Sequence, residues 1–88
     1  MVYSIYTLLI FIRLITGNTH QLQVDKYDTI LLLKFRIRRL LGIPTYLQSL
    51  YRNGSDTPLN DDLTLDNYTI SDHSTLRLVT KMKTGFIL

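Results

Sequence analysis

Residues 8–25 read LLIFIRLITGNTHQLQVD, which contains two apolar stretches separated by a turn. Leu8–Leu14 is rich in β-branched and bulky apolar residues, as strands are. Thr16-Gly17-Asn18 is typical of a turn, because glycine can take the positive φ that tight turns require. In Thr19–Asp25 polar and less polar residues alternate, which is the period of a half-buried strand. We therefore expect a β-hairpin with a glycine-containing loop.

A helix is expected directly after this hairpin. Asp28-Thr29 can supply an N-cap, because a short side-chain oxygen accepts a hydrogen bond from the first turn. Gly42 suits a left-handed C-cap, and Pro44 prevents the helix from resuming. The predicted helix runs from Ile30 to Leu41. Its apolar stripe should face the sheet and consists of Ile30, Leu33, Ile37 and Leu41.

The second half of the chain predicts two more strands. Asn53-Gly54 is a strong turn signal, and it follows an expected third strand. A polar loop and a short helical turn come next, and a last alternating segment predicts the final strand. The expected elements are a strand at Leu47–Arg52, a loop at Ser55–Asp62, a turn at Leu63–Tyr68 and a strand at Ser74–Lys81.

Composition limits the class of protein. The chain has 88 residues, of which 45% are hydrophobic, and this suits one small globular domain. It has no cysteine, so a disulfide framework and a zinc-thiolate site are excluded. The formal charge of +3 is a mild excess that says little about partners.

The apolar N-terminal run, Val2–Ile15, allows two interpretations. A signal peptide or anchor is one, and two glycosylation triplets beginning at Asn53 and Asn67 keep a secreted protein open. A buried first strand is the other. We favour the strand, because nothing basic precedes the run, Arg13 interrupts it and it is too short to span a bilayer. No membrane association is expected, and the expected compartment is cytoplasmic and/or nuclear.

No arrangement of residues predicts catalysis. Asp72-His73-Ser74 contains the residue types of a catalytic triad, but adjacent residues cannot converge on one point. His20 and His73 lack a spaced set of further ligands, so no metal site is predicted. A glycine-rich phosphate loop is also missing. We expect no enzymatic activity, no cofactor and no small-molecule substrate.

Several segments, in the right order, resemble ubiquitin. Leu14–Thr19 resembles its first hairpin turn, and Gly42-Ile43-Pro44 resembles the end of its helix. Leu65–Ile70 and Ser74–Val79 resemble its late loop and last strand. The resemblance runs from about Leu8 to Gly85. It implies an α+β fold, the ubiquitin-like β-grasp, with a mixed sheet packed on one helix. The domain would span 8–81, with an extension at 1–7 and a flexible tail at 82–88.

The resemblance also implies structural roles. Lys34 would lie part-buried near the base of the helix, with Asp61 as its acidic partner, and the Tyr68 hydroxyl would hold its loop. The implied core consists of Leu8, Ile10, Ile12, Leu22, Val24, Ile30, Leu33, Ile37, Leu50, Leu65, Ile70, Leu76 and Leu78.

In ubiquitin, an apolar patch on the sheet meets most partners. The matching positions here are Ile15, Tyr51 and Val79, with Arg77 beside them and Gly54 at the neighbouring turn. Exposed apolar groups lying together indicate a partner site. The alternative is that Tyr51 is simply a half-covered strand residue, and we favour the patch because three positions agree and aromatic residues suit the centres of interfaces. The resemblance implies an interaction module that docks on ubiquitin-binding or ubiquitin-pathway proteins.

Two alternative functions stay open. The chain could be a covalent modifier matured to Gly85, although Thr84 replaces the small penultimate residue of conjugated family members. It could be a basic nucleic-acid adaptor, since the helix carries Lys34, Arg36, Arg38 and Arg39; we consider nucleic acid unlikely because the charge excess is small.

A second surface is also expected on the helix, where Leu31, Leu32 and Phe35 lie outside the core stripe. The N-terminal extension or another chain would cover it. Whether the domain occurs free, conjugated or within a longer protein stays open.

Overall fold

The structure is a computed structural model, and it describes residues 5–81. Four strands and one α-helix make up this part of the chain, together with two 3-10 helical turns at Thr45–Leu47 and Asp66–Tyr68. The α+β class and the single helix are as the sequence predicts. The bounds of the main elements are β1 Thr7–Leu14, β2 Thr19–Asp25, α1 Ile30–Leu41, β3 Gln48–Arg52 and β4 Thr75–Thr80.

The four strands form one mixed sheet in the order β2-β1-β4-β3. β1 pairs antiparallel with β2 and parallel with β4, so the first and last strands of the chain lie at the centre. β3 pairs antiparallel with β4 at the sheet edge. This mixed sheet packed on one helix confirms the predicted β-grasp arrangement.

Both ends of α1 are fixed by the residues that the sequence singles out. The Thr29 hydroxyl accepts a hydrogen bond of 3.1 Å from the Leu32 N–H at the N-terminus. At the other end Gly42 has φ of 77°, and its N–H donates to the Arg38 carbonyl at 2.8 Å. These caps satisfy groups that the helix itself leaves without partners, and they explain why the helix has the predicted bounds.

The core lies between α1 and one face of the sheet. Leu8 and Leu22, expected inside, are half-buried and pack against its edge. Leu59, which the sequence does not single out, is buried because its N–H bonds to the Leu50 carbonyl at 2.8 Å and draws the loop onto β3. The buried apolar residues are Ile10, Ile12, Val24, Ile30, Leu33, Ile37, Leu50, Leu59, Leu65, Ile70, Leu76 and Leu78.

The third strand begins one residue later than expected. Thr45–Leu47 forms a 3-10 turn in which the Leu47 N–H donates to the Pro44 carbonyl at 3.0 Å. Gln48 then enters the sheet with its side chain fully buried, and its Nε2 donates to the carbonyls of Lys34 and Ile43, each at 2.9 Å. This amide ties β3 to the helix and to the segment that leaves it.

Candidate partner-binding surface

The predicted patch lies on the face of the sheet opposite the core. Successive strand residues point to opposite faces, and Leu50, Leu76 and Leu78 all point into the core. Tyr51 on β3 and Arg77 and Val79 on β4 therefore point to the outer face. All three side chains are half-buried rather than fully exposed.

Tyr51 and Arg77 form the best-defined contact of this face. They are directly opposite in the β3–β4 ladder. The Arg77 guanidinium carbon lies 4.7 Å from the centre of the Tyr51 ring, which is the geometry of a cation–π interaction. Arg77 Nη2 also donates to the Ser55 carbonyl at 3.1 Å. Stacking and hydrogen bonding together hold a flat, partly apolar platform at the edge of the sheet.

The Asn53-Gly54 turn supplies the acceptor for Arg77. Gly54 has φ of 79°, a conformation that favours glycine, and the Ser55 N–H donates to the Arg52 carbonyl at 3.1 Å. Within residues 5–81, no atom beyond Gly54 and its two chain neighbours lies within 4 Å of the position that a Cβ on Gly54 would occupy, so the turn leaves open space there. The role of Gly54 here is to bring the Ser55 carbonyl over the sheet.

Val79 and Ile15 continue the same face. Val79 follows Arg77 by two residues on β4, directly opposite Ser49 of β3. Ile15 comes after Leu14, which pairs with Leu78 in the parallel β1–β4 ladder. Ile15 therefore emerges from the sheet at the level of Val79, with 73% of its surface exposed. The structure thus joins Tyr51 to Arg77 by contact and places the other two along neighbouring strands.

The three residues with predicted structural roles lie elsewhere. Lys34 is buried in α1, and its Nζ is 2.6 Å from Asp61 Oδ1, an ion pair without hydrogen-bond geometry. The Tyr68 hydroxyl accepts a 2.8 Å hydrogen bond from the Asn60 N–H. The Arg52 guanidinium carbon lies 5.5 Å from the centre of the Tyr68 ring. These contacts fasten the long loop to the domain.

A corner that sequence reasoning missed lies at the start of β4. Asp72 Oδ1 accepts a hydrogen bond from the Leu9 N–H at 2.7 Å, and the His73 N–H donates to the Leu9 carbonyl at 2.6 Å. The hydrogen bond from Leu9 and the nearby His73 lower the pKa of Asp72, while burial opposes this shift. Phe11 lies beside His73 on the outer face, with ring centres 6.1 Å apart. Its alternation with the core residues Ile10 and Ile12 was the signal for that position.

The predicted second surface is accessible in the structure. Leu31, Leu32 and Phe35 are each about two-fifths exposed on the side of α1 that faces away from the core. The described part of the N-terminal extension stays beside β1 and β2. The Tyr6 carbonyl accepts a hydrogen bond of 2.9 Å from the Lys26 N–H, and the Tyr6 ring packs against the Tyr27 ring.

Comparison with known proteins identifies the family. A sequence model of the Ubiquitin family matches residues 10–83, most of the chain. The chain belongs to the ubiquitin family. This ubiquitin family member is also 38% identical, over 79 residues, to a protein named AN1-type zinc finger protein 4 from Mus musculus. That match covers 90% of this chain but only 10% of the mouse protein, so the chain spans about a tenth of the relative's length.

Two further observations concern this ubiquitin-like domain. Within residues 5–81, no helix is long and apolar enough to cross a membrane. The same part of the chain has no group of three or more His, Cys, Asp or Glu residues placed to hold a metal ion. Gly85 and the predicted tail lie outside the described residues.

Proposed function

We propose that this ubiquitin-like domain is a protein-interaction module that docks on ubiquitin-binding or ubiquitin-pathway proteins through the outer face of its sheet. The observation that carries the proposal is the Tyr51–Arg77 stack. It lies beside Val79 and Ile15 at the positions where ubiquitin has its apolar patch. The role proposed is binding rather than catalysis, and the compartment proposed is the cytoplasm or nucleus.

The stack also explains why Tyr51 should be the anchor of this surface. A tyrosine contributes a large apolar area at a small cost in side-chain entropy, and aromatic residues are enriched among the residues that dominate binding energy. Arg77 already holds the ring from one side and is itself held by Ser55. A partner therefore meets a ring that is ordered before binding, which reduces the entropy lost on docking.

The experiment is NMR shift mapping of the full chain with a purified ubiquitin-binding domain. We expect the amide signals of Ile15, Tyr51, Arg77 and Val79 to move together as the partner is added. Signals from α1 should stay in place, because the helix lies on the other side of the sheet. Shifts confined to Leu31, Leu32 and Phe35 would move the site to the helix and refute the proposal.

A further inference from the structure

The outward side of α1 combines positive charge with exposed apolar side chains. The helix contains four basic residues and no acidic one. It also carries four large apolar side chains that remain accessible, of which Phe35 is 43% and Leu40 is 47% exposed. A helix on the surface of a globular domain normally turns a polar face to water. The apolar residues on this outward side are Leu31, Leu32, Phe35 and Leu40.

Two of the four positive charges are compensated within the domain. Lys34 pairs with Asp61, and Arg36 lies 3.4 Å from the Asp28 carboxylate. Arg38 and Arg39 form no ion pair with any residue in the range 5–81. Their place in the last helical turn is favourable to the helix dipole, but it leaves the guanidinium groups available to a partner.

The charges and the apolar groups are interleaved. At about 100° per residue, the residues that follow one another across the side of α1 away from the core stripe are Arg38, Leu31, Phe35, Arg39 and Leu32, so the two arginines that form no ion pair within residues 5–81 alternate with apolar side chains. Arg36, Arg39 and Leu40 also line a shallow depression with Leu22 of β2. An occupant of this side must therefore present apolar groups and negative charges at close spacing.

This requirement excludes the nearest alternatives. A second copy docked through the same side of its own helix would place two helices without acidic residues against each other, and like charges at an interface are strongly unfavourable. The ends of this chain, residues 1–4 (MVYS) and 82–88 (MKTGFIL), contain no aspartate or glutamate, so they cannot supply the negative charges that an occupant needs. A nucleic acid would satisfy the arginines but would leave Leu32 and Phe35 without apolar partners.

We propose that the outward side of α1 is a second docking surface, and that its occupant is an acidic amphipathic helix of a partner protein. Glutamates or aspartates of that helix pair with Arg38 and Arg39, and its apolar residues pack against Leu31, Leu32 and Phe35. Ridges of side chains spaced by three and four residues on α1 suit a second helix packed alongside. The surface is independent of the sheet patch, so the domain could hold two partners at once.

The test uses the full chain and two synthetic helical peptides of about 18 residues, or five turns. One peptide has leucines along one face flanked by glutamates, and the other has a lysine in place of each glutamate. We expect the glutamate peptide to shift the amide signals of α1 from Leu31 to Arg39, and to bind at least about tenfold more tightly than the lysine peptide.

A charge reversal sharpens the test. The variant Arg38→Glu/Arg39→Glu should lose about tenfold in affinity for the glutamate peptide and gain affinity for the lysine peptide. Arg13→Glu is the matched control, because Arg13 is exposed on β1 at the other face of the sheet. This variant should bind the glutamate peptide as the parent does. If the reversed variant does not fold, Arg38→Gln/Arg39→Gln removes the same two charges. Phe35→Ala, which removes an apolar contact and no charge, should also weaken binding of the glutamate peptide.

Several results with the peptides and the free chain would overturn the proposal. These are equal binding of both peptides, no shift in α1, shifts from the glutamate peptide on the sheet alone, and contacts from Val2 or Tyr3 to Phe35 in the free chain. A single-stranded oligonucleotide serves as the nucleic-acid probe, and vesicles with about one phosphatidylserine to three phosphatidylcholines serve as the membrane probe. If the oligonucleotide or the vesicles bind through the same arginines more tightly than the glutamate peptide does, the surface is a nucleic-acid or a membrane site instead. Tyr51→Ala should leave glutamate-peptide binding intact, which separates this proposal from the sheet patch.

Discussion

Gln48 offers a sharp prediction about what joins the sheet to the helix. Its buried amide donates two hydrogen bonds of 2.9 Å, to the carbonyls of Lys34 and Ile43. The substitution Gln48→Leu keeps nearly the same volume and removes both donors. The Lys34 carbonyl lies within α1 and keeps its intrahelical donor, whereas the Ile43 carbonyl lies beyond the helix and has no such partner.

The expected magnitude follows from these two bonds. An ordinary hydrogen bond contributes about 1 kcal/mol net, and a partly buried acceptor left without a donor costs about 1–3 kcal/mol. The added apolar surface of leucine offsets part of this, so we expect the free energy of unfolding to fall by about 2 kcal/mol. The matched control is Gln23→Leu, because Gln23 is exposed on β2 and should change stability by less than about 0.5 kcal/mol.

The assay is urea denaturation of the parent and both variants, followed by circular dichroism. The slopes of the unfolding transitions should agree, so that a lower midpoint for Gln48→Leu reports stability alone. A Gln48→Leu variant as stable as the parent would show that the two hydrogen bonds contribute nothing net, and the reasoning would be wrong.

Three further predictions concern the core, the Asp72 corner and the C-terminal glycine. Ile37→Ala, which truncates a fully buried side chain, should destabilise the domain by about 2–5 kcal/mol, whereas Gln23→Ala should have little effect. Equal losses of stability in chemical denaturation would mean that the helix face or strand register is wrong. The lowered pKa of Asp72 contributes stability that is present above its unfolded pKa of about 3.9 and is lost as pH falls through the folded value. Asp72→Asn should therefore lose less stability than the parent between about pH 5 and pH 2 in denaturation series, and parallel losses would rule out this role. A chain ending at Gly85 should form no thiol-sensitive adduct with a ubiquitin-type activating enzyme and ATP, because the β-branched Thr84 obstructs the narrow channel; such an adduct would identify a modifier precursor.

The parts of the fold that sequence predicted well are those encoded locally. Thr29 and Gly42 mark the ends of α1, because each acts on groups within one turn of itself. The alternation of β4 likewise placed Arg77 and Val79 on one face, since side-chain direction in a strand depends only on the period of two.

The parts that sequence missed depend on contacts between distant segments. Leu59 lies in a polar loop, and its burial depends on packing into the core and on the backbone hydrogen bond with Leu50, which lies on β3. The burial of Gln48 depends on two carbonyls that belong to the helix and its exit. The Tyr51–Arg77 stack required the register of β3 against β4, which no local pattern determines.

The proposed docking of a ubiquitin-binding partner on the outer sheet face depends on Tyr51 as its anchor. The most direct measurement is the affinity of one such domain, by calorimetry, for the parent, Tyr51→Ala and Phe11→Ala. Phe11 is the matched control, because it is also an aromatic residue on the outer face, but it lies on β1 at the level of Thr75 and is separated from Tyr51 by β4. We expect Tyr51→Ala to lose about 2 kcal/mol, or roughly 30-fold in affinity, while Phe11→Ala stays within about twofold of the parent. Equal affinity for the parent and Tyr51→Ala, or a larger loss for Phe11→Ala, would show that Tyr51 does not anchor docking.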